Sequence, residues 1–314
     1  MEMKLLSFVI PCYRSELTIQ SVIDEIRDVM NEKHSSYAYE IILVNDCSPD
    51  NVLSKINSLA EQDERIKVID LAQNVGKHAA VLCGYRYAKG DLIVNLDDDF
   101  QCPVYELWSL VRCVEDGADV AMAKYKEKKQ SLFKNFGSAI NARMAEKMIG
   151  KPKEMHFENF SVMKKYIADQ MALYSNPYPY LEGLMLSVTK NICNVEVEER
   201  ERGDSLETGF TFSKSLQLFL NGFTAFSVIP LRIASIMGVI IACIGAIFAI
   251  IIVVSKLSGE INVPGYSSII ATILVMGGMI MLLLGIVGEY VGRIYICLNG
   301  IPQYVVKETK NLEL

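Results

Sequence analysis

The 314-residue sequence has no GxGxxG motif after its first apolar run, which argues against a dinucleotide site. Its eight cysteines include no CxxC pair, so a zinc framework is disfavoured and reduced thiols in a cytoplasmic domain are expected. Histidine is scarce, three in all, and His78 and His156 are read as structural residues rather than metal ligands. The one tryptophan, Trp108, is assigned to the core on a helix after Pro103. A net charge of −6 speaks against nucleic acid as a partner. There is no internal repeat, no low-complexity tract and no cleavable leader pattern, because the first apolar run breaks at Pro11.

Charge is also missing from two long runs, Ile233 to Ser255 and Ile261 to Gly288. Each is long enough to cross a hydrocarbon core of about 30 Å, and a buried soluble helix seldom stays uncharged all round for so long. Two membrane-spanning helices are therefore expected, joined by the Pro- and Gly-containing hairpin Lys256 to Tyr266. Arg232, Arg293, Lys307 and Lys310 flank the pair against Lys256 alone between the spans, which puts both ends in the cytoplasm of a multi-pass protein of the cytoplasmic (inner) membrane. The expected layout is a soluble domain over 1–211, a juxtamembrane amphipathic helix over 212–230 and a first span over 231–257. A short non-cytoplasmic loop over 258–265, a second span over 266–288 and a cytoplasmic tail over 289–314 complete it. Two helices are too few for a pore, so self-association into a homo-oligomer is expected.

What is present in the soluble part is a regular alternation. Apolar runs at Leu5–Ile10, Tyr39–Val44, Ile66–Leu71 and Leu92–Leu96 read as strands, separated by helical patterns over Leu17–Met30, Leu53–Gln62 and up to Ala88. That order predicts an α/β fold with a mainly parallel sheet and helices on both faces. In such sheets ligands bind beyond the carboxyl ends of the strands. The clusters Pro11–Ser15, Asn45–Asp50, Asn74–Lys77 and Asp97–Gln101 all follow strands, so they are expected to converge on one crevice.

The last cluster holds three consecutive aspartates, Asp97, Asp98 and Asp99. Adjacent carboxylates repel unless water or a cation neutralises them, and oxygen ligands favour a hard cation such as Mg²⁺ or Mn²⁺. Alone, the triplet also fits an acidic cap on the next helix. With Asp46 placed for polar groups of a base, the crevice suits a nucleoside diphosphate. A further strand over Ala118–Ala123 leads into lysines 124, 126, 128, 129 and 134, the densest basic run in the chain, and a helix is predicted from Ser131 to Ile149. Charge runs are usually solvated faces, but one lying between an acidic crevice and membrane spans is placed to hold a phosphate at a membrane surface.

Taken together, Val9-Ile-Pro-Cys-Tyr13, Val44-Asn-Asp-Cys-Ser-Pro-Asp50, Gln73 to Ala80, Leu96-Asp-Asp-Asp-Phe-Gln-Cys-Pro103, Pro230-Leu-Arg232 and Gly288 to Arg293 resemble the polyprenyl-phosphate branch of family 2 glycosyltransferases, with the GT-A fold. The resemblance covers nearly the whole chain. It implies a nucleotide-sugar donor, with UDP expected, a polyprenyl phosphate such as undecaprenyl phosphate as acceptor, and Mg²⁺ or Mn²⁺ as cofactor. Pro11, Tyr13, Asp46 and Lys77 would hold the nucleotide sugar, with Asp97, Asp98 and Gln101, and with Arg200 or Arg202 on the leaving phosphates. Asp97, Asp99 and Gln101 would hold the metal, and Lys124, Lys134 and Ser138 the lipid phosphate. Asn45 stands where an aspartate is common, and Arg14-Ser15 where Asn-Glu is usual, so the base is left open. A transferase of the same fold acting on a sugar hydroxyl, and an inactive membrane scaffold, are the alternatives.

Overall fold

The computed structural model describes residues 3–32, 36–125, 155–177, 179–198 and 266–312, with scattered positions between 234 and 258. The chain forms two compact units. One comprises residues 1–211 and 301–314, the other residues 212–300.

The first unit is built on an eight-stranded sheet. Strands β1 (Lys4–Cys12), β2 (Tyr37–Asn45), β3 (Ile66–Leu71) and β4 (Leu92–Asn95) alternate with helices α1 (Ile19–Asn31), α2 (Val52–Gln62) and α3 (Lys77–Tyr87). A single 3₁₀ turn, Val104–Glu106, leads into α4 (Leu107–Glu115), followed by β5 (Val120–Tyr125) and β6 (Ser161–Lys164). Then come α5 (Lys165–Ala172), α6 (Leu181–Val188) and β7 (Ile192–Val197). The strand order is β7-β5-β6-β4-β1-β2-β3, with a last strand, β8 (Val306–Lys310), at the edge beside β3. β1 pairs in parallel with both β2 and β4, and β2 with β3.

These inner strands are covered on both faces, so they read as continuous apolar runs rather than alternating ones. Phe8, Val9, Ile10, Ile41, Ile42 and Leu43 have no exposed surface. α1 packs through Ile19, Val22, Ile23, Ile26 and Met30, the helical stripe visible in the sequence. Trp108 packs against the core beside Tyr37, with ring centroids 5.1 Å apart.

The sheet and the chain's end depart from expectation. The sheet is mixed: β6 lies antiparallel between β4 and β5, a four-residue strand too short to announce itself in sequence. The expected tail over 289–314 divides, with residues up to Leu298 continuing helix α7 (Tyr266–Leu298) and Val306–Lys310 forming β8, antiparallel to β3. Cys113 of α4 and Cys193 of β7, 80 residues apart in sequence, lie side by side. Among the described residues, one helical segment is long and apolar enough to cross a membrane, Met276–Leu298; most of the first expected span, 231–257, lies outside them.

In the second unit, α7 has 33 residues, roughly 50 Å at about 1.5 Å per residue. The described positions between 234 and 254 are helical, and Ile236, Val239, Ile247, Ile250 and Val254 among them are exposed. The amphipathic helix expected over 212–230 and the connection over 259–265 lie outside the described residues.

Gly90, in the turn before β4, is confined by backbone. Its N–H donates to Ser7 Oγ at 2.7 Å, and a Cβ there would lie 2.6 Å from Ser7 N and 2.8 Å from the Leu5 carbonyl oxygen. Ser7 Oγ in turn bonds the buried Glu40, which pairs with Lys67 and accepts the Lys89 N–H at 2.7 Å. Gly90→Ala is expected to lower stability by about 1–3 kcal/mol, the usual cost of overpacking. Urea denaturation of the variant against the parent checks this.

Candidate active site

The strand order reverses at β1 and β4, and here the crevice of an open α/β sheet is expected. The structure places the aspartate triplet at the end of β4, facing the loop after β1. Asp98 turns inward: its Oδ2 accepts the Tyr13 N–H at 2.9 Å, and Thr18 Oγ1 donates to its carbonyl. Burial pushes the Asp98 carboxyl up to about 6, with the neighbouring Asp97 adding to the shift and the Tyr13 N–H opposing it. Its observed partner is thus the loop that carries Tyr13, a use that three identical letters in a row do not reveal.

Asp97 faces the other way. Its Oδ2 accepts from Asn159 Nδ2 at 2.7 Å, and Lys77 Nζ lies 2.5 Å from Oδ1. The lysine sits outside hydrogen-bonding geometry, so that oxygen has a cation beside it but no directed bond. Asp99 Oδ1 accepts the Gln101 N–H at 3.1 Å, which folds Gln101 back over the loop. Among the described residues no three acidic, histidine or cysteine side chains converge on one point. A hard cation held by one or two carboxylates, with the rest of its shell from phosphates and water, needs no such convergence. The oxygen donors of Asp97, Asp99 and Gln101 fit that requirement, and Asp97 Oδ1 is the atom best placed to exchange Lys77 for a metal.

Asp46, after β2, is buried, and both of its oxygens are engaged. Oδ1 accepts the Val75 N–H at 2.7 Å and Oδ2 the Gly76 N–H at 2.9 Å. Burial pushes its carboxyl above the usual range, against the pull of those two N–H groups. Asp46 therefore fixes the turn before α3, and with it the base of Lys77. Neighbouring Asn45 donates Nδ2 to Asp70 Oδ1 at 2.7 Å and accepts the Ser48 N–H at 3.3 Å.

Each strand-end loop contains a residue in the left-handed region: Arg14 (φ 58°) after β1, Cys47 (φ 48°) after β2, Gly76 (φ 85°) after β3 and Phe100 (φ 63°) after β4. Three of the four are not glycine. Each such conformation costs free energy and persists only where the surroundings impose it, and it concentrates at functional sites. Pro11 is buried at the end of β1, while Tyr13 is 43% exposed with the Arg14 guanidinium 5.5 Å from its ring centre.

Lys124, next to last in β5, lies 3.6 Å from Glu196. The next residue, Tyr125, bonds Cys102 of the aspartate loop, and burial holds its phenol well above the ordinary range. The end of β5 is thereby tied to the aspartate loop. His78 Nδ1 lies 3.1 Å from the Pro179 carbonyl, and the His156 backbone pairs with the Asn194 side chain. Asn159, Thr18 and Ser48 were not singled out from sequence. Asn159 belongs to a segment without a strand-end signal, and only the fold carries it to Asp97. Lys134, Ser138, Arg200 and Arg202 lie outside the described residues.

Carboxylates gathered at the switch point of an open sheet, with a lysine and a polar loop set against them, are the layout of an α/β glycosyltransferase domain of the GT-A type. The chain belongs to glycosyl transferase family 2, whose family model matches residues 7–171, and a second model, the GtrB C-terminal hairpin, matches residues 229–294. It is 30% identical over 308 residues to the prophage bactoprenol glucosyl transferase homolog of Escherichia coli, covering 97% of this chain and 99% of that protein. It is 29% identical to the undecaprenyl-phosphate 4-deoxy-4-formamido-L-arabinose transferase of Proteus mirabilis, over 96% of this chain and 93% of that one. Among solved structures, glucosyl-3-phosphoglycerate synthase of Mycobacterium tuberculosis, crystallised with Mn²⁺ and UDP-glucose, aligns with a TM-score of 0.53 at 16% identity. That alignment covers 70% of this chain and 77% of the other, and it shows a shared fold.

Asp46→Asn replaces one acceptor oxygen with an amide that faces a backbone N–H. Losing one charge-assisted bond and leaving that N–H unpaired is expected to cost about 2–4 kcal/mol. Thermal unfolding in detergent, compared with the parent, checks the loss.

Proposed function

We propose that this glycosyltransferase moves a sugar from a nucleoside-diphosphate donor, expected to be a UDP-sugar, to a polyprenyl phosphate, expected to be undecaprenyl phosphate. The product would be a lipid-phosphate-linked sugar for cell-envelope glycans, with inversion at the anomeric carbon. The observation that carries this reading is the extent of the likeness: proteins named for bactoprenol or undecaprenyl phosphate match over 96–97% of the chain, beyond the soluble domain.

The chemistry supports the same acceptor. A sugar hydroxyl is a weak nucleophile that needs a general base. A phosphate monoester has a second pKa of about 6, so at neutral pH one of its oxygens can attack without one. The difficulty is then to bring two anions together, and positive charge is what the site must supply. On the donor side Asp97, Asp99 and Gln101 would hold a divalent cation, which when bound neutralises the leaving diphosphate. Lys77, released from Asp97, would lie free for a phosphate oxygen. On the acceptor side Lys124, tied to the aspartate loop through Tyr125 and Cys102, would hold the lipid phosphate together with Lys134 and Ser138. Pro11 and Tyr13 would face the nucleoside, and Arg200 or Arg202 the departing phosphates.

We also propose that residues 212–300 form a membrane hairpin with both ends in the cytoplasm, associating between copies through its helices. The chain leaves the catalytic unit after Thr211 and re-enters it at Ile301. A segment that starts and ends on one folded unit crosses a bilayer an even number of times. If Met276–Leu298 crosses, a second crossing must precede it, and the uncharged run Ile233–Ser255 is the segment with the composition to make it.

The test is transfer of radiolabelled sugar from UDP-, GDP- and dTDP-sugars into undecaprenyl phosphate by detergent-purified protein. An organic-extractable product lost on EDTA treatment is expected. Nucleotide binding without lipid product from any donor would move a hydroxyl acceptor or a scaffold ahead. Asp99→Asn is expected to lower turnover by about 10²-fold or more, as loss of a group that stabilises developing charge does. Near-parental turnover in that assay would remove Asp99 from the metal site.

A further inference from the structure

The acids of the site are balanced from an unexpected quarter. β8 joins the sheet after the long excursion of residues 212–300, with Val68 opposite Lys310, Ile69 opposite Thr309, Asp70 opposite Glu308 and Leu71 opposite Val306. The register therefore skips Lys307, which stands as the extra residue of a β-bulge. Bulges of this kind redirect a side chain at a sheet edge or beside a site. Here Lys307 Nζ is directed to within 3.3 Å of Asp70 Oδ2.

Asp70 is 5% exposed, and its other oxygen accepts the Asn45 amide at 2.7 Å. The chain of bonds continues into the site. Asn45 Oδ1 holds the Ser48 N–H, and Ser48 Oγ accepts the Arg14 N–H at 2.8 Å while donating to Asp50 at 2.6 Å. Two of the four strand-end loops, those after β1 and β2, are thus linked to one lysine beyond the membrane segment. Side-chain bonds at both ends keep β8 in register: Gln303 Nε2 donates to the Asn176 carbonyl at 2.8 Å, and Asn311 Nδ2 to the Ala60 carbonyl at 2.7 Å.

We propose that Lys307 is a positioning residue for the donor site, acting through Asp70 and Asn45, so that the nucleoside loops reach their binding geometry only when the returning strand is docked. The inference rests on the reading of those loops as the nucleotide site. Without Lys307 the buried Asp70 carboxylate keeps an amide but loses the cation beside it. A buried carboxylate left without its cation turns toward water, and that change loosens its hold on Asn45. Lys307 is itself 64% exposed, so the coupling expected is at the low end of that between linked sites, about fivefold.

The experiment uses the full chain in detergent with Lys307→Met, Lys307→Arg and the double variant Lys307→Met/Asp70→Asn, and has two readouts. Hydrogen–deuterium exchange is followed over residues 12–16, 45–50 and 305–310, and UDP, GDP and dTDP are titrated calorimetrically. Lys307→Met is expected to speed exchange over 45–50, leave 305–310 at the parental level and raise the nucleotide Kd about fivefold. Lys307→Arg and the double variant, whose neutral amide needs no cation, should restore both. Parental exchange over 45–50 in Lys307→Met, or loss of protection across 305–310 as well, would overturn the proposal, the second because it marks a merely structural lysine. Should the parent protein bind none of the three nucleotides, the donor reading falls, while the exchange data still decide whether Lys307 governs the loop.

Discussion

Negative charge concentrated at one edge of a buried sheet is the constraint around which this structure is organised. Asp46, Asp70 and the triplet Asp97–Asp99 follow or end neighbouring strands, and a parallel sheet brings strand ends together whatever their separation in sequence. Each acid is answered differently. Asp46 is answered by two backbone N–H groups, Asp98 by the Tyr13 N–H, Asp70 by Asn45 and Lys307, and Asp97 by Asn159 and Lys77. The acids held by backbone lock the loops. Asp97, held by a lysine side chain, is the one that on the proposed reading would change partner for a cation and a diphosphate.

The same sheet settles what becomes of the chain's end. An edge left at β3 would present unpaired backbone groups, and β8 covers it with a short strand rich in lysine and glutamate, the composition that discourages further pairing. Its pairing also makes residues 212–300 an excursion from a single domain rather than an appendage. On the proposed reading the acceptor is held by a membrane and the donor is soluble, and a catalytic unit whose two covalent connections both lead to the apolar segment would serve such a reaction.

Much of this was legible in the residues. The strand Ile66–Leu71 has the bounds its apolar pattern indicates, and the strand-end clusters converge because parallel topology leaves them no other place. β8 was not legible, since Val-Lys-Glu-Thr-Lys has no apolar alternation and its partner lies more than two hundred positions earlier. Nor was the division of labour among the aspartates. Asp97 and Asp98 are chemically identical, and only the loop conformation decides which one meets Lys77 and which one the Tyr13 N–H. The left-handed Arg14, Cys47 and Phe100 carry no glycine or asparagine signal, because tertiary contacts impose those conformations.

The central claim is that a lipid phosphate oxygen attacks the anomeric carbon, which fixes the bonds in the product. One phosphorus should link sugar to lipid, with the configuration at the sugar opposite to that in the donor. The direct measurement is ³¹P and ¹H NMR of the organic-extracted product formed from undecaprenyl phosphate and the preferred donor. A single phosphodiester resonance coupled to an inverted anomeric proton is the predicted result. A diphosphate signal, a retained configuration or a glycolipid without phosphorus would contradict it.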